Sequence, residues 1–342
     1  MLTHERYLRG VDPVDALERI ATLLERELAP SYKAEAFRRA ADAIRDRYDL
    51  DGLATRGTLR DIPSVGTSTA RVIEQALAGD VPEYLAQLEA EAAPDAGAGA
   101  DLHAALRGDL HTHSDWSDGG ATIEQMALAA RGLGHDYVAL TDHSPSLKIA
   151  SGLDADRLRA QLDVVGTLDE ELAPFRILTG IEVDILEDGS LDQDEDLLDE
   201  LDVVVASVHS KLRMEKRAMT DRMVAAIASP HVDVLGHCTG RLIRGRGRPE
   251  SDFDPDLVFG ACAHFDVAVE VNCRPERLDP PMRLLEQVAA AGCRISIDSD
   301  AHAVGQLSWQ PYGCARGADA GLTSDRVVNT SSVDKLLEWA TP

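Results

Sequence analysis

Histidine is scarce in this chain, 11 residues in 342, and six of the 11 stand where a short apolar run stops. Asp109-Leu110-His111-Thr112-His113 closes one run and Thr141-Asp142-His143 the next. His209 ends VVVASVH, His237 ends VDVLGHC, and Asp298-Ser299-Asp300-Ala301-His302 ends ISIDSDAH. Glu182 lies in Gly-Ile-Glu-Val-Asp on a further run, and VAVEVNC supplies Glu270 and Asn272 in place of a histidine. A single histidine at a strand end is usually a satisfied polar residue. Six at equivalent places, joined by carboxylates, point to a metal site. His111 and His113 are two apart on extended chain, so both side chains project to one side and can share an ion. The candidate ligands are His111, His113, Asp118, His143, Glu182, His209, His237, Asp300 and His302. At roughly three to four protein ligands per ion they would serve two or three ions, with Glu182 or Asp300 able to bridge. Imidazole and carboxylate without thiolate suit Zn, Mn or Fe better than Mg or Ca. Clustered ions clamp the attacking and leaving oxygens of a phosphoryl displacement, and a water of lowered pKa is the expected nucleophile. His4, His103, His135, His231 and His264 lie elsewhere and read as surface or structural residues.

The elements that must position these residues follow from the pattern around them. Seven short β-branched runs, from ALRGDLHTH to RISIDSDAH, alternate with helical stretches at 122–133, 155–172, 216–228, 256–264 and 282–291. Strands alternating with helices predict parallel βαβ units, closed into a barrel or opened into a doubly wound sheet. Either architecture places functional residues at the C-terminal strand ends, where the histidines are. Before residue 93 the apolar spacing is helical, over 14–28 and 34–46. Residues 93–105, APDAGAGADLHAA, read as an Ala/Gly-rich linker. The length agrees with about two domains at roughly 150 residues each.

Composition excludes several classes. An apolar fraction of 44% excludes a disordered chain. A formal net charge of −26 excludes a general electrostatic DNA binder, so any nucleic-acid contact must be local or run through metal ions. Cys238, Cys262, Cys273, Cys293 and Cys314 are odd in number and contain no C-x-x-C pair, so buried reduced thiols are expected. No stretch approaches a membrane span, and the first residues lack a basic-then-apolar leader pattern. A cytoplasmic location is the expectation.

The motifs H-x-H-S-x-x-S-D-G, T-D-H-S, G-x-E-V-D-I, S-V-H-S, G-H-x-T-G-R and S-D-A-H, in this order, resemble the PHP (polymerase and histidinol phosphatase) family over residues ~106–340. The resemblance implies a distorted seven-stranded (β/α) barrel with a trinuclear metal site at the strand C-termini, in which all nine candidates are ligands. The family pattern favours Asp118 over the nearby Asp115, and Gly119-Gly120 permits a tight return of the chain there. Cys238 follows His237 where relatives often have proline, a change of packing rather than of ligation. Phosphate charge beyond the metals calls for cations, and Arg241, Lys211 and Arg274 should rim the strand-end face as substrate contacts. Glu182, His143, Arg241 and Lys211 are the expected catalytic group. Arg244, Arg246 and Arg248 form a local basic loop that would guide a polyanion or else is simply solvated.

A second resemblance covers the amino-terminal region. Ser31 to Ile44 followed by Leu59 to Ile73 resemble the helix-hairpin-helix domain of family X DNA polymerases. That hairpin offers backbone N–H groups at a helix N-terminus to a DNA phosphate. Bacterial family X polymerases also carry a C-terminal PHP domain, so the expectation is that architecture without its polymerase core: 1–92 all-α helix-hairpin-helix domain, 93–105 linker, 106–342 phosphoesterase. No Asp-x-Asp of a polymerase palm lies near the seam, so polymerisation is not expected. Ser64 stands where the first hairpin glycine is usual, and Val72 stands at the position of the lyase lysine, which excludes Schiff-base chemistry. Residues 1–92 hold 12 Lys+Arg against 17 Asp+Glu, which weighs against strong DNA binding by this domain. The leading expectation is metal-dependent phosphoester hydrolysis at DNA 3′ ends by two or three divalent ions, Zn, Mn or Fe. The alternative is a small-molecule phosphomonoesterase of histidinol-phosphatase type. No membrane is involved.

Overall fold

The computed structural model describes residues 11–45, 48–91 and 93–340. His4 and the leader reading lie outside these residues, as does Asp46 at the end of the second expected helix. The chain divides into two compact units, residues 1–93 and 94–342. Among the described residues no helix is long and apolar enough to cross a membrane.

The first unit is helical: α1 (Pro13–Arg26), α2 (Ser31–Ile44), α3 (Leu50–Arg56), α4 (Thr67–Leu77) and α5 (Glu83–Glu89). Asp12 caps α1 by accepting from Val14 N at 2.8 Å, and Pro13 occupies the first turn, where its missing N–H costs nothing. The apolar stripes of these helices meet in one core of Leu17, Ile20, Phe37, Ala41, Ile73 and Leu85. Between the 3-10 turn Leu59–Asp61 and α4 lies the expected hairpin. Ser64 there has φ +68°, the left-handed conformation that glycine adopts without penalty. Gly66 begins α4 and donates its N–H to Thr69 Oγ1 at 2.9 Å. Val72 is buried in the core.

The second unit is a seven-stranded parallel sheet in sequence order: β1 (Gly108–Thr112), β2 (Tyr137–Leu140), β3 (Arg176–Asp184), β4 (Val203–Ser207), β5 (Val234–Leu235), β6 (Ala268–Asn272) and β7 (Ile295–Asp298). The strands read as near-continuous apolar runs because both faces are covered. On β2, Val138 and Leu140 pack against Met126, Ala127 and Ala130 of the helix Ile123–Gly132. Tyr137 and Ala139 pack instead with Leu178, Val203, Val205, Val234 and Ala268. All five cysteines are buried and free, and burial pushes each thiol pKa up.

The sheet nearly closes on itself, and a single backbone bridge, Thr112 to Ala301 with His113 N donating to Ala301 O at 2.8 Å, together with several side chains completes the ring. At the β1/β7 seam Asp298 accepts from Leu110 N at 2.8 Å and Asp109 accepts from Ser299 N at 3.2 Å. Asn329 Nδ2 donates to Gly108 O at 3.0 Å and Ile297 O at 2.8 Å, and Gln310 Nε2 donates to the same two carbonyls at 3.0 Å. Burial raises the Asp109 carboxyl, and burial with the neighbouring Asp109 holds that of Asp298 well above its ordinary value.

The expected linker needs correction. Its start coincides with the unit boundary, but Gly97–Gly99 form a 3-10 turn and Ala100–Ala105 an α-helix within the second unit. Gly99 lies so close to Cys314 O that a Cβ would sit 2.2 Å from it. Alanine is the best helix former, so an Ala-rich stretch with a packing partner becomes helix rather than tether.

Candidate metal centre

Each expected ligand stands at or just beyond a strand end, and the nine converge. Glu182, on β3, is at the centre. Its Oε1 lies 2.8 Å from His237 Nε2 and 3.1 Å from His209 Nε2. Its Oε2 lies 2.8 Å from His143 Nδ1, 3.3 Å from His111 Nε2 and 3.6 Å from His113 Nε2. One carboxylate thus presents each oxygen to a different set of imidazoles, the arrangement a bridging ligand requires. The β1–β2 register shifts between Asp109 and Thr112, the kind of irregularity that re-aims side chains beside a site. His111 and His113 both reach Glu182, as their spacing predicts.

A second focus lies around Asp118 and His302. Asp118 Oδ1 is 3.5 Å from His143 Nε2 and 3.4 Å from His302 Nε2. Asp300 Oδ1 is 3.6 Å from His113 Nε2. The turn that aims Asp118 is tight: Gly119 packs on the Ser114 backbone, where a Cβ would sit 2.7 Å away, and Gly120 N donates to His302 O at 2.7 Å. Three groups of donor atoms each fall within 4.8 Å of one another: His113, Asp118, His143 and His302; His111, His113 and Glu182; His143, Glu182 and His209. These clusters are suited to hold several metal ions.

The fit can be tested on the donor atoms. His111 Nε2, both nitrogens of His113 and of His209, His143 Nδ1, His237 Nδ1 and Glu182 Oε2 are buried without a hydrogen-bond partner. Buried polar atoms are normally satisfied, so this concentration of orphans fits ligands facing ions. The electrostatics agree. Burial alone would raise Glu182, but His209, His111 and His143 hold its carboxyl well below the usual range. Burial would lower His111, and Glu182 with Glu270 instead raise it well above its ordinary value. Burial lowers His143 and His302, and the neighbouring His113 adds to both shifts.

Partners behind the ligands select which atom faces inward. Glu270 Oε1 holds His111 Nδ1 at 2.7 Å, leaving Nε2 for Glu182 and the site. The other Glu270 oxygen accepts from His237 N. Asp184 Oδ1 accepts from His209 N at 3.0 Å. Asn272 Nδ2 and Arg277 Nε lie 3.0 and 3.2 Å from Asp300 Oδ2, which leaves Oδ1 toward His113. Sequence reasoning assigns no such role to Glu270, Asp184 or Arg277. Asp184 carries a signal, two residues after Glu182 on the same strand. Arg277 carries none.

The expected cations divide. Arg274 reaches the cluster, with Nη1 2.9 Å from His302 Nδ1 and 3.0 Å from Asp300 O. Arg241 does not face the imidazoles: Nε donates to Arg277 O at 2.9 Å, Nη2 to Leu278 O, and Nη1 lies 3.6 Å from Glu250. Lys211 is 62% exposed and pairs with Glu187 at 3.5 Å. Cys238 lies 3.7 Å from the Asp279 carboxylate, away from the ligand set. His231 pairs with Asp199, burial lowers His135 to about 4, and neither joins the cluster.

Residues 109–270 match the PHP domain family, and residues 11–81 match a helix-hairpin-helix domain family. The chain is similar to the DNA polymerase/3'-5' exonuclease PolX of Bacillus subtilis (strain 168), 39% identical over 228 residues that make up 67% of this chain and 40% of that protein. The chain therefore spans less than half the length of that relative. It is also similar to a probable phosphatase of Photobacterium profundum, 31% identical over 205 residues, 57% of this chain and 77% of that protein. A solved histidinol phosphate phosphatase of Lactococcus lactis subsp. lactis Il1403, complexed with zinc, L-histidinol and phosphate, aligns with a TM-score of 0.45 at 20% identity, covering 64% of this chain and 95% of that one.

Proposed function

The chain belongs to the PHP domain family, and from that premise we propose that it is a metal-dependent phosphoesterase that removes nucleotides from DNA 3′ ends. The observation that carries the reading is Glu182, whose two oxygens face separate imidazole sets at the ends of parallel strands. The ligands are His111, His113, Asp118, His143, Glu182, His209, His237, Asp300 and His302. The pairing of a helix-hairpin-helix region with this domain favours DNA as the substrate, since the Bacillus subtilis relative is a polymerase and 3'-5' exonuclease.

When bound, divalent ions held by these residues would supply Lewis acidity toward the phosphoryl oxygens and would lower the pKa of a water. His143 and Glu182 belong to more than one donor group, so their loss is expected to damage more than one ion position. Arg274, beside His302 and Asp300, is the cation placed to meet a phosphate oxygen. Arg241 acts through the loop after β6: by holding Arg277 O and Leu278 O it keeps Arg277 against Asp300. Lys211 lies on the rim, where it meets substrate only when released from Glu187. The reduced thiols suit a reducing compartment, and we place the protein in the cytoplasm.

The test is degradation of a 5′-labelled single-stranded DNA with Mn²⁺, scored against His143→Ala. A ladder of shortened products, absent in the variant, is expected. Full activity in His143→Ala would overturn the metal assignment. Intact DNA beside brisk turnover of p-nitrophenyl phosphate would favour a small phosphomonoester substrate, the second reading that the similarity to the Photobacterium profundum phosphatase supports.

A further inference from the structure

Beyond Cys238, the loop after β5 carries a feature that hydrolysis does not use. Residues 242–248 fold back as a small hairpin. Leu242 and Arg248 exchange both backbone bonds, Leu242 N to Arg248 O at 2.9 Å and Arg248 N to Leu242 O at 2.8 Å. Gly245 and Gly247 supply φ +69° and +67°, which let the tip turn. Ile243 N donates to Glu276 O at 2.6 Å, which fixes the hairpin against the loop that carries Arg274 and Arg277. Arg248 points its Nε back at Gly240 O and belongs to the hairpin's own closure. Arg244 and Arg246 do not. Both are exposed, and neither guanidinium has a hydrogen-bonding or acidic partner among the described residues.

Two unpartnered guanidinium groups two residues apart on one small hairpin gather positive charge in a chain of net charge −26, where arginines such as Arg45, Arg71, Arg283 and Arg294 meet carboxylates and others, such as Arg131 and Arg159, stand singly. Their place is set by topology. Every strand is parallel, so the loop after β5 opens on the same end of the barrel as His237 and the other ligands. That end is electrically lopsided. The loop after β3 carries Glu187, Asp188, Asp192 and Asp194 and no cation, whereas the loop after β4 sets Lys211 and Arg213 against Glu215, and the loop after β5 sets Arg241, Arg244, Arg246 and Arg248 against Glu250, Asp252 and Asp254, with Arg244 and Arg246 on its exposed tip. A polyanion entering the site is repelled on the β3 side and attracted on the β5 side.

Building on the reading of a DNA 3′-end substrate, we propose that the 242–248 hairpin is a strand-docking element: Arg244 and Arg246 hold backbone phosphates of single-stranded DNA beyond the one at the metal centre. The hairpin then selects a polymer over a mononucleotide without touching the bond that breaks. Arginine suits the task, since its planar fork pairs two donors with a phosphate.

The experiment compares Arg244→Gln/Arg246→Gln with the unaltered protein on a labelled single-stranded oligonucleotide and on p-nitrophenyl phosphate, across a salt series. A second double variant, Arg131→Gln/Arg294→Gln, removes the same charge from sites away from the strand C-termini. For the hairpin variant, KM on DNA should rise on the order of ten-fold, and the slope of log affinity against log salt should fall by about 1.4, or about 0.7 for each lost phosphate contact. Turnover of the small ester should be unchanged in both variants. Unchanged DNA kinetics and salt slope in the hairpin variant would overturn the proposal alone. So would an equal change in the control variant, which would assign the effect to net charge. Loss of small-ester turnover in the hairpin variant would give the hairpin a structural role and also overturn it. An effect confined to an RNA oligonucleotide would overturn the assignment to DNA. If the unaltered protein hydrolyses the ester but leaves DNA intact, the reading of the site and the proposal fall together.

Discussion

Glu182 depends on residues behind the imidazoles that surround it. Five imidazoles lie within 3.6 Å of it, and each must present a particular nitrogen. Glu270 sets one of these choices by holding His111 Nδ1. Glu270→Gln keeps the shape and weakens the hold on the ring, so metal affinity is expected to fall by about 10–100-fold with the fold intact. Titration of bound metal against a competing chelator measures this, and a variant that holds its ions as tightly as the parent would refute the role. The residues that gather around Glu182 are legible in the sequence, because histidine is scarce and its positions coincide with the ends of apolar runs. The roles of Glu270 and Arg277 are not. Each depends on the register between strands that are distant in the chain, which no local pattern carries. Arg241 shows the same limit from the other side: it has the expected charge and position along the chain, yet backbone carbonyls of the next loop engage its donors.

At the scale of elements, the seven strands and most of the helices between them are readable from periodicity, and the helix Ala155–Leu172 matches its expected bounds. Closure of the ring does not follow from periodicity, because it rests on one backbone bridge and on single side chains, some of them from outside the strands. Asn329 is the chief of these, and it is fully buried between Gly108 O and Ile297 O. Asn329→Ala leaves those carbonyls to Gln310 alone and removes the side-chain acceptor of Ile297 N, and is expected to cost about 1–3 kcal/mol, read as a lower urea midpoint at constant slope. A loss under about 0.5 kcal/mol would mean that Gln310 and the other seam contacts close the ring without Asn329. The opposite end of the barrel holds a pH-sensitive group. Asp233 accepts from Val204 N at 2.7 Å, and burial raises its carboxyl from 3.8 to about 8. The folded state therefore binds this proton more tightly than the unfolded chain does. The stabilisation is fully present below the unfolded value and is lost as pH rises through the folded one. Between about pH 5.5 and 8.5 the parent should lose on the order of 1–3 kcal/mol relative to Asp233→Asn, which keeps an acceptor without the charge. Parallel stability curves for the two proteins would contradict that.

For the molecule as a whole, charge is arranged rather than merely summed. A net −26 disfavours nucleic acid over most of the surface, while metal ions and the loops after β4 and β5 supply positive charge at one mouth. Such a protein should engage a polyanion only end-on at that mouth, so internal positions of a closed circular single strand should resist attack. Degradation of circular DNA at the rate of linear DNA would contradict this. The burial of all five thiols has a separate consequence for the experimenter. Native protein should take up no maleimide near neutral pH and five equivalents once unfolded in urea, as a mass spectrum would record. The native surface is therefore a blank background for thiol chemistry. Ile149, 94% exposed on the turn after β2, is a natural place for one introduced cysteine. A dye placed there would make the mouth of the barrel an optical ruler, against which the arrival and shortening of a labelled strand could be followed in real time.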